Sequence, residues 1–329
     1  MAVIINFIIL FLIMVLNSGV EIRTTLSNIS EQHISESSTL EPNDTTYICI
    51  GYKNTLDFIA NYSEGKYDYI EASLPWSVHD YPSEWTEKQL KSETEKYIFY
   101  SYVKAITRNT IFSAYSNGRW VGDYKVKKLI PSGVGMVDNI AAELQPLSEN
   151  TDVMEKNPSL VAVNKKSNET SSKLFSTTKK ILDENEFQHV KKHLKKILKK
   201  DKYLKKIDRE KIICHVGVLT PDDGLTYIVT CNTDTDDFGL SLLLVFSLKN
   251  GVFNDKCLID KFFPHEGGNA SLLEEGGSYY DFYDVFDVDN DGSAELFFYI
   301  EEWESVSFAI LSKIGQRYKT VFKNGLGGV

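Results

Sequence analysis

From Thr46 onward the chain is a succession of short apolar runs, rich in β-branched and aromatic residues and separated by turn-forming residues. TYICIGY predicts the first strand. TIFSAYS and RWVGDYKVKKL predict two more, joined by the hairpin signal Asn117-Gly118, and YIFYSYVKAI ahead of them also reads as a strand. Thr86 and Gln89 stand at capping-box spacing and predict a short helix starting near Ser83. Further on, LSLLLVFSLK and VFNDKCLID flank Asn250-Gly251, while IICHVGVLT and LTYIVTCN flank the turn-forming set Pro221, Asp222, Asp223 and Gly224. From about Leu147 to Thr178, Ser, Asn, Lys and Thr replace the large apolar residues, which is the composition of a linker.

One segment has helical periodicity instead. Phe187, Val190, Leu194, Ile197 and Leu198 fall within an arc of about 100° when wound at about 100° per residue, which predicts an amphipathic helix. Tyr203, Leu204 and Ile207 leave that arc, so the helix breaks or changes register near Asp201. Residues 187–206 hold nine Lys and one Asp. Lys191, Lys192, Lys195, Lys196, Lys199 and Lys200 form a basic surface suited to an anionic lipid, a glycosaminoglycan or a nucleic acid. The blander alternative docks the apolar stripe on a sheet and lets Lys solvate the outer face, and the lack of Trp in the stripe favours it. His189 and His193 share a helix face, but Val190 stands where a zinc protease needs Glu, and the surrounding Lys repel a dication.

These elements define a mainly β chain of the α+β kind, with antiparallel meanders and one long Lys-rich amphipathic helix. FSAYSNGRWVGDYKVKK and VFSLKNGVFNDKCLIDK share a strand, Asn-Gly, strand layout, and Asp223-Gly224 and Asp291-Gly292 each precede an apolar strand. Two readings stay open: a degenerate repeat arranged as irregular propeller-like blades, or coincidence among hairpins. The 329 residues fit one large or two modest domains. The 42% hydrophobic and 25% charged residues argue against a wholly disordered, collagen-like or polytopic membrane chain. A net charge of −10 argues against a dedicated, specific nucleic-acid partner.

Residues 3–16, VIINFIILFLIMVL, are too short an apolar run to span a bilayer and are followed by Asn17, Ser18 and Gly19. They match the apolar region of a secretory signal peptide ending near Gly19; with no Lys or Arg ahead of them, an uncleaved anchor stays open. The expected organisation is a signal peptide (1–19), a disordered tether (20–45), an N-terminal β-rich domain (46–146), a linker (147–182), the basic helix (183–208) and a C-terminal β-rich domain (209–329). The expected location is secreted or in the cell envelope.

Export places the four Cys in an oxidising compartment. A two-residue loop at Asp222-Asp223, or a four-residue loop from Pro221 to Gly224, sets Cys214 opposite Cys231; a three-residue loop breaks that register. Cys49 and Cys257 remain as a second pair. Asn28, Asn43, Asn61, Asn168 and Asn269 stand in sequons, which accept glycans in a eukaryotic secretory route and are chance in a bacterial one.

The pattern with metal chemistry is Asp287, Asp289 and Asp291 alternating, then Gly292, with Glu295 at the ninth position. Calcium takes six to eight oxygen ligands at about 2.3–2.6 Å, and such a loop supplies acids at alternate positions, a glycine for the sharp turn and a carbonyl at position seven. An EF-hand needs flanking helices and Glu at position twelve, where Phe298 stands; here YYDFYDVF and ELFFYI flank the loop and read as strands. The strand, DxDxDGxxE, strand arrangement resembles the calcium loops of FG-GAP and VCBS-type repeats in integrin-like β-propellers. It also resembles a class of bacterial secreted or envelope proteins with one such hairpin. The resemblance covers residues 279–325. It implies one structural Ca²⁺ held by Asp287, Asp289, Asp291 and Glu295 through side chains and by Ser293 through its carbonyl. At the earlier Asp-Gly turn only Asp223 is kept, with Leu219 and Pro221 where acids are needed. The alternative is an acidic turn that binds nothing.

Nucleophile elbow, P-loop, dinucleotide fingerprint and paired-Cys zinc motifs are all missing from the sequence. Pro131 to Gly135 is glycine-rich but lacks the Lys-Ser/Thr of a phosphate cradle, and His79-Asp80 and His265-Glu266 are isolated pairs. Trp76, Trp85 and Trp120 suit either a carbohydrate groove or a core. The expected function is a secreted or envelope-associated binding or structural protein with a protein or glycan partner and no catalysis. The alternatives are a secreted hydrolase with a carboxylate site on a β scaffold, and attachment to anionic surfaces through the Lys-rich helix.

Overall fold

A computed structural model describes residues 45–52, 55–70, 84–100, 106, 110–134, 137–147, 160–164, 175–197, 207–220, 223–235, 238–254, 259–265 and 270–328. The apolar run at 3–16, the tether, Cys257, Lys199, Lys200 and the sequons at Asn28, Asn43, Asn168 and Asn269 lie outside the described residues.

Period-two alternation builds a closed barrel first. Strands β1 (Thr46–Tyr52), β2 (Thr55–Ser63), β3 (Lys66–Tyr69), β4 (Ile111–Ser116), β5 (Arg119–Val134), β6 (Val137–Pro146) and β7 (Leu160–Asn164) lie in the order β1-β7-β4-β5-β6-β2-β3, all antiparallel. Because β1 also pairs with β2, from Thr46 opposite Tyr62 to Tyr52 opposite Thr55, six strands close on themselves and β3 extends β2 as a ribbon. Cys49, Leu56, Phe58, Phe112, Ala114, Tyr124, Val126, Ile140, Ala142, Leu144, Leu160 and Ala162 fill the interior. On β1 and β7 the alternate residues Ile48, Ile50, Val161 and Val163 are also buried, facing outward. Strands apolar on both faces must be covered on both.

The closing strand β7 comes from the stretch expected as a linker. Its run LVAVN is short enough to vanish in a compositional average over 147–182. The capping box at Thr86 does form: Thr86 N–H donates to Gln89 Oε1 at 2.8 Å and Gln89 N–H to Thr86 Oγ1 at 3.3 Å. The helix it starts, α1 (Glu87–Tyr100), runs through Tyr97–Tyr100, which strand propensity had assigned to a strand. No Gly or Pro separates the cap from the aromatic run, so a nucleated helix carries through it.

A second sheet contains β8 (Ser176–Lys180), β9 (Ile213–Val218), β10 (Leu225–Thr235), β11 (Phe238–Lys249), β12 (Val252–Phe253) and β13 (Ile259–His265), in the order β12-β11-β10-β9-β8 with β13 also on β11. Helix α2 (Glu184–Ile197) covers one face, burying Phe187, Val190 and Leu194 on Tyr227, Val229, Leu242 and Leu244. Lys192, Lys195 and Lys196 face solvent, while the half-buried Lys191 places Nζ 4.4 Å from the Phe187 ring centroid. The helix is therefore shorter than the expected 183–208. After the undescribed residues 198–206, Asp208 is extended and caps a 3-10 turn at Arg209–Lys211. Its start is a capping box: Glu186 N–H donates to Asp183 Oδ1 at 2.9 Å and Asp183 N–H to Glu186 Oε2 at 2.8 Å. Glu186, only 4% exposed, also takes the Tyr227 hydroxyl at 2.7 Å and the Lys180 ammonium, which pins the helix to the sheet.

The third sheet is a meander of β14 (Tyr279–Phe286), β15 (Glu295–Glu302), β16 (Ser305–Ile314) and β17 (Arg317–Gly328). Leu296, Phe298, Ile300, Ala309 and Leu311 pack against Ile228, Leu243 and Val245 of the helix-backed sheet. The alternate residues Tyr283, Phe297, Phe308 and Ile310 pack against the outward-facing apolar residues of the barrel. The layers thus run barrel, middle sheet, helix-backed sheet and helix, all within the compact unit Thr46–Val329. This stack replaces the propeller-like arrangement. The hairpins at Asn117-Gly118 and Asn250-Gly251 have the expected positive φ but belong to sheets of different kinds.

Cys49, Cys214 and Cys231 are free, buried thiols. The connection between β9 and β10 takes in Leu219 to Gly224, which shifts the register by two so that Cys214 faces Val229 rather than Cys231. Diagonal neighbours stand about 7–8 Å apart, beyond the Cα separation of about 4.4–6.8 Å that a disulfide spans. Cys49 sits inside the barrel, so it is enclosed by the barrel's own side chains. Burial pushes the Cys214 thiol up to about 12 and the Cys231 thiol up to about 11. Alkylation of the native chain with iodoacetamide is therefore expected to spare all three, and unfolding without reductant to expose all three; a bridged pair would stay unlabelled in denaturant.

Barrel and middle sheet are joined by the Tyr283 hydroxyl, which accepts the Leu160 N–H at 3.0 Å and lies 3.1 Å from the Leu160 carbonyl and 3.4 Å from that of Gly51. Tyr283→Phe leaves the Leu160 N–H buried without an acceptor. It is expected to lower stability by about 1–3 kcal/mol in urea titration, and an unchanged midpoint would contradict this joint.

Candidate metal centre

The acidic loop joins β14 to β15 and is shaped by its own backbone amides. Gly292 N–H donates to Asp287 Oδ2 at 3.1 Å, Asp291 N–H to Asp289 Oδ1 at 3.1 Å and Ser293 N–H to Asp291 Oδ1 at 2.7 Å. Asn290 and Gly292 take φ of 58° and 87°, the left-handed conformation that this tight reversal requires. Glu295 begins β15 and is 2% exposed. Val288 N–H holds its Oε2 at 2.7 Å and the Ser312 hydroxyl its Oε1 at 3.0 Å.

This folding brings together Asp287, Asp289 and Glu295, with one carboxylate oxygen of each lying within 4.8 Å of the others. Asp291 is exposed and stands outside that group, with one oxygen used by Ser293 N–H. The remaining oxygen of Asp287, Oδ1, is buried and has no hydrogen-bond partner. Burial pushes Asp287 up to about 6, against the Gly292 amide and with the charges of Asp289 and Asp291 adding to the rise. Burial pushes Glu295 up to about 8, against the Val288 amide and with Asp289 and Asp287 adding. Asp289 is raised for the same first reason. Three desolvated acids that repel one another could take up a cation or protons. A donor set made of oxygens alone suits a hard cation.

Residues from distant parts of the chain surround the loop. Tyr62 on β2 lies beside Asp289, whose charge adds to burial in raising its phenol, and the Tyr67 ring on β3 packs against Tyr62 at 4.8 Å between centroids, tilted by 52°. Burial and the Glu295 charge raise the Tyr67 phenol. From the other side, Ala294 N–H donates to the Leu219 carbonyl at 2.9 Å, and Lys313 pairs with Asp223 at 2.6 Å. The barrel, the middle sheet and the β9–β10 connection thus meet at one loop. None of Tyr62, Tyr67, Ser312 and Lys313 is flagged by a motif. The turn Glu64-Gly65 marks the β2–β3 hairpin, but no local pattern places it against a loop so far along the chain.

The basic-surface residues Lys191, Lys192, Lys195 and Lys196 lie on α2, at the opposite end of the layer stack from the barrel. Trp120 is exposed, with its indole N–H on Asp123 at 3.0 Å, and Trp76 lies outside the described residues. No protein-family model, curated protein or solved structure matches the chain, so its function is argued from this chemistry rather than from kinship.

A Cβ on Gly292 would meet nothing within 4 Å, whereas one on Gly118, φ +75°, would lie 2.2 Å from the Phe175 carbonyl oxygen. Gly292→Ala is therefore expected to cost only the backbone strain of about 1–2 kcal/mol, and Gly118→Ala distinctly more. Urea midpoints of the two variants check this, and equal costs would contradict the loop geometry.

Proposed function

We propose that this chain is a secreted or envelope-associated protein with a binding or structural role, in which one calcium ion ties down the β14–β15 loop. The observation that carries the reading is the convergence of Asp287, Asp289 and Glu295, whose donor oxygens lie within 4.8 Å of one another, with Asp287 Oδ1 buried and unpartnered. Oxygens bound to one calcium stand at most about 4.8 Å apart, twice a typical Ca–O distance of about 2.4 Å. Magnesium demands an octahedral shell at about 2.0–2.1 Å and gives up its waters reluctantly, so an all-protein loop of carboxylates and a carbonyl favours calcium. Asp291 and the Ser293 carbonyl complete the proposed ligand set, with water filling the rest.

The role is one of holding pieces together. An ion in this loop would neutralise three acids at the meeting point of the Tyr62 hairpin, the middle sheet and the Leu219–Asp223 connection. The signal-like run at 3–16 supports export, and extracellular calcium at millimolar levels saturates a site with affinity of about 10⁻⁴ M. A protein or glycan is the proposed partner.

In melting experiments, about 2 mM calcium should then add about 2 kcal/mol to stability over the chain in excess EDTA, or about 3–4 °C in Tm. Magnesium should give little shift, and Asp289→Ala should abolish the calcium shift. Coincident melts with calcium and with EDTA would refute the reading.

A further inference from the structure

Asp284 is a second buried carboxyl group, separate from the acidic loop and 0% exposed. It lies on β14 at a bulge, opposite Phe297 of β15, where the middle sheet meets the barrel. Its Oδ1 accepts the Gly118 N–H at 2.6 Å and its own neighbour's, Val285, at 2.7 Å. Its Oδ2 is buried with no partner. The Asn117-Gly118 turn of the barrel is held in place on its other side too, with the Asn117 carbonyl accepting the Thr177 N–H at 2.9 Å. A Cβ on Gly118 would come within 2.8 Å of Val285 Cγ2 as well as striking the Phe175 carbonyl, so the turn is seated closely against the middle sheet.

No cation balances this group among the described residues that shift its titration. Strand β7, LVAVN, has no ionisable side chain. At the turn Arg119 is exposed, β15 presents Phe297, and on β14 itself Tyr283 is the adjacent titratable group whose phenol the Asp284 charge raises. A carboxylate in such a place is stable when neutral and costly when charged.

We propose that Asp284 is a pH-sensitive latch: protonated, it lets the β4–β5 hairpin of the barrel seat on the middle sheet, and ionised, it loosens that joint. Burial pushes the carboxyl up to about 7, while its amide donors hold it down. An unfolded Asp titrates near about 3.9, so the folded chain holds the extra proton between these values. Its contribution to stability is full below about 4 and is lost as pH rises through about 7.

Hydrogen exchange on the full chain in millimolar calcium, at pH 6 and pH 8.5 and corrected for intrinsic rates, tests the latch. Wild-type peptides covering Ile111–Lys125 and Tyr279–Phe286 should exchange about 10-fold faster at the higher pH, the effect of one unit of titration. Asp284→Asn should protect them equally at both. A chain carrying Asp287→Asn and Glu295→Gln, in which the acidic loop no longer titrates, should keep the wild-type pH response. Unchanged wild-type protection, a pH response that survives Asp284→Asn, or one that disappears with the loop substitutions would each overturn the proposal. Should Asp284→Asn fail to fold, the wild-type and loop-substituted chains decide it.

Discussion

A sheet that is apolar on both faces cannot face water on either, and the middle sheet is such a sheet. Along β15, Leu296, Phe298 and Ile300 point one way and Phe297 and Tyr299 the other. Burying each large side chain is worth about 1.5–3 kcal/mol, about twice the net worth of one hydrogen bond at about 0.5–1.5 kcal/mol. Burial therefore dictates that the barrel cover one face and the helix-backed sheet the other. Polar contacts then choose the register: Tyr283 on Leu160, Asn232 Nδ2 on the Tyr280 carbonyl at 3.1 Å, the Ser241 hydroxyl on the Ser278 carbonyl, and Lys313 on Asp223.

Local chemistry was readable in the sequence wherever a single turn or cap decides the outcome. The capping box at Thr86, the left-handed Asn117-Gly118 and Asn250-Gly251 turns and the apolar stripe of α2 all form where they were expected. What failed were inferences about how pieces add up. Five residues, LVAVN, hid in a polar stretch and turned out to close the barrel, because closure depends on pairing with β1 and β4 rather than on composition. The cysteine pairing failed by a register shift of two, which turn statistics for a six-residue connection do not resolve.

The acidic loop divides in the same way. Asp287, Asp289 and Glu295 are close in sequence, and their spacing alone brings them together once strands flank them. Tyr62, Ser312 and the Leu219 carbonyl reach the same place only through the stacking of layers. A sequence pattern can name the inner ring of such a site because its geometry is set by a few φ/ψ angles, while the surrounding ring is a property of the whole fold. The same holds for Asp284, which reads as an ordinary polar position in YYDFYDVF and becomes a buried group only because a bulge turns it toward the barrel.

The middle layer follows both of its covers along the chain, since β14 to β17 come after the barrel and after β8 to β13. During synthesis, then, the barrel leaves the ribosome with Ile48, Ile50, Val161 and Val163 uncovered, and the helix-backed sheet leaves it with Ile228, Leu243 and Val245 uncovered. Two sticky surfaces of the same molecule await one late insert, and direct contact between them is the misfolded alternative. The hazard lasts until the β14–β15 hairpin emerges, so a chain cut before β14 would keep both surfaces bare and be prone to aggregate whatever its activity.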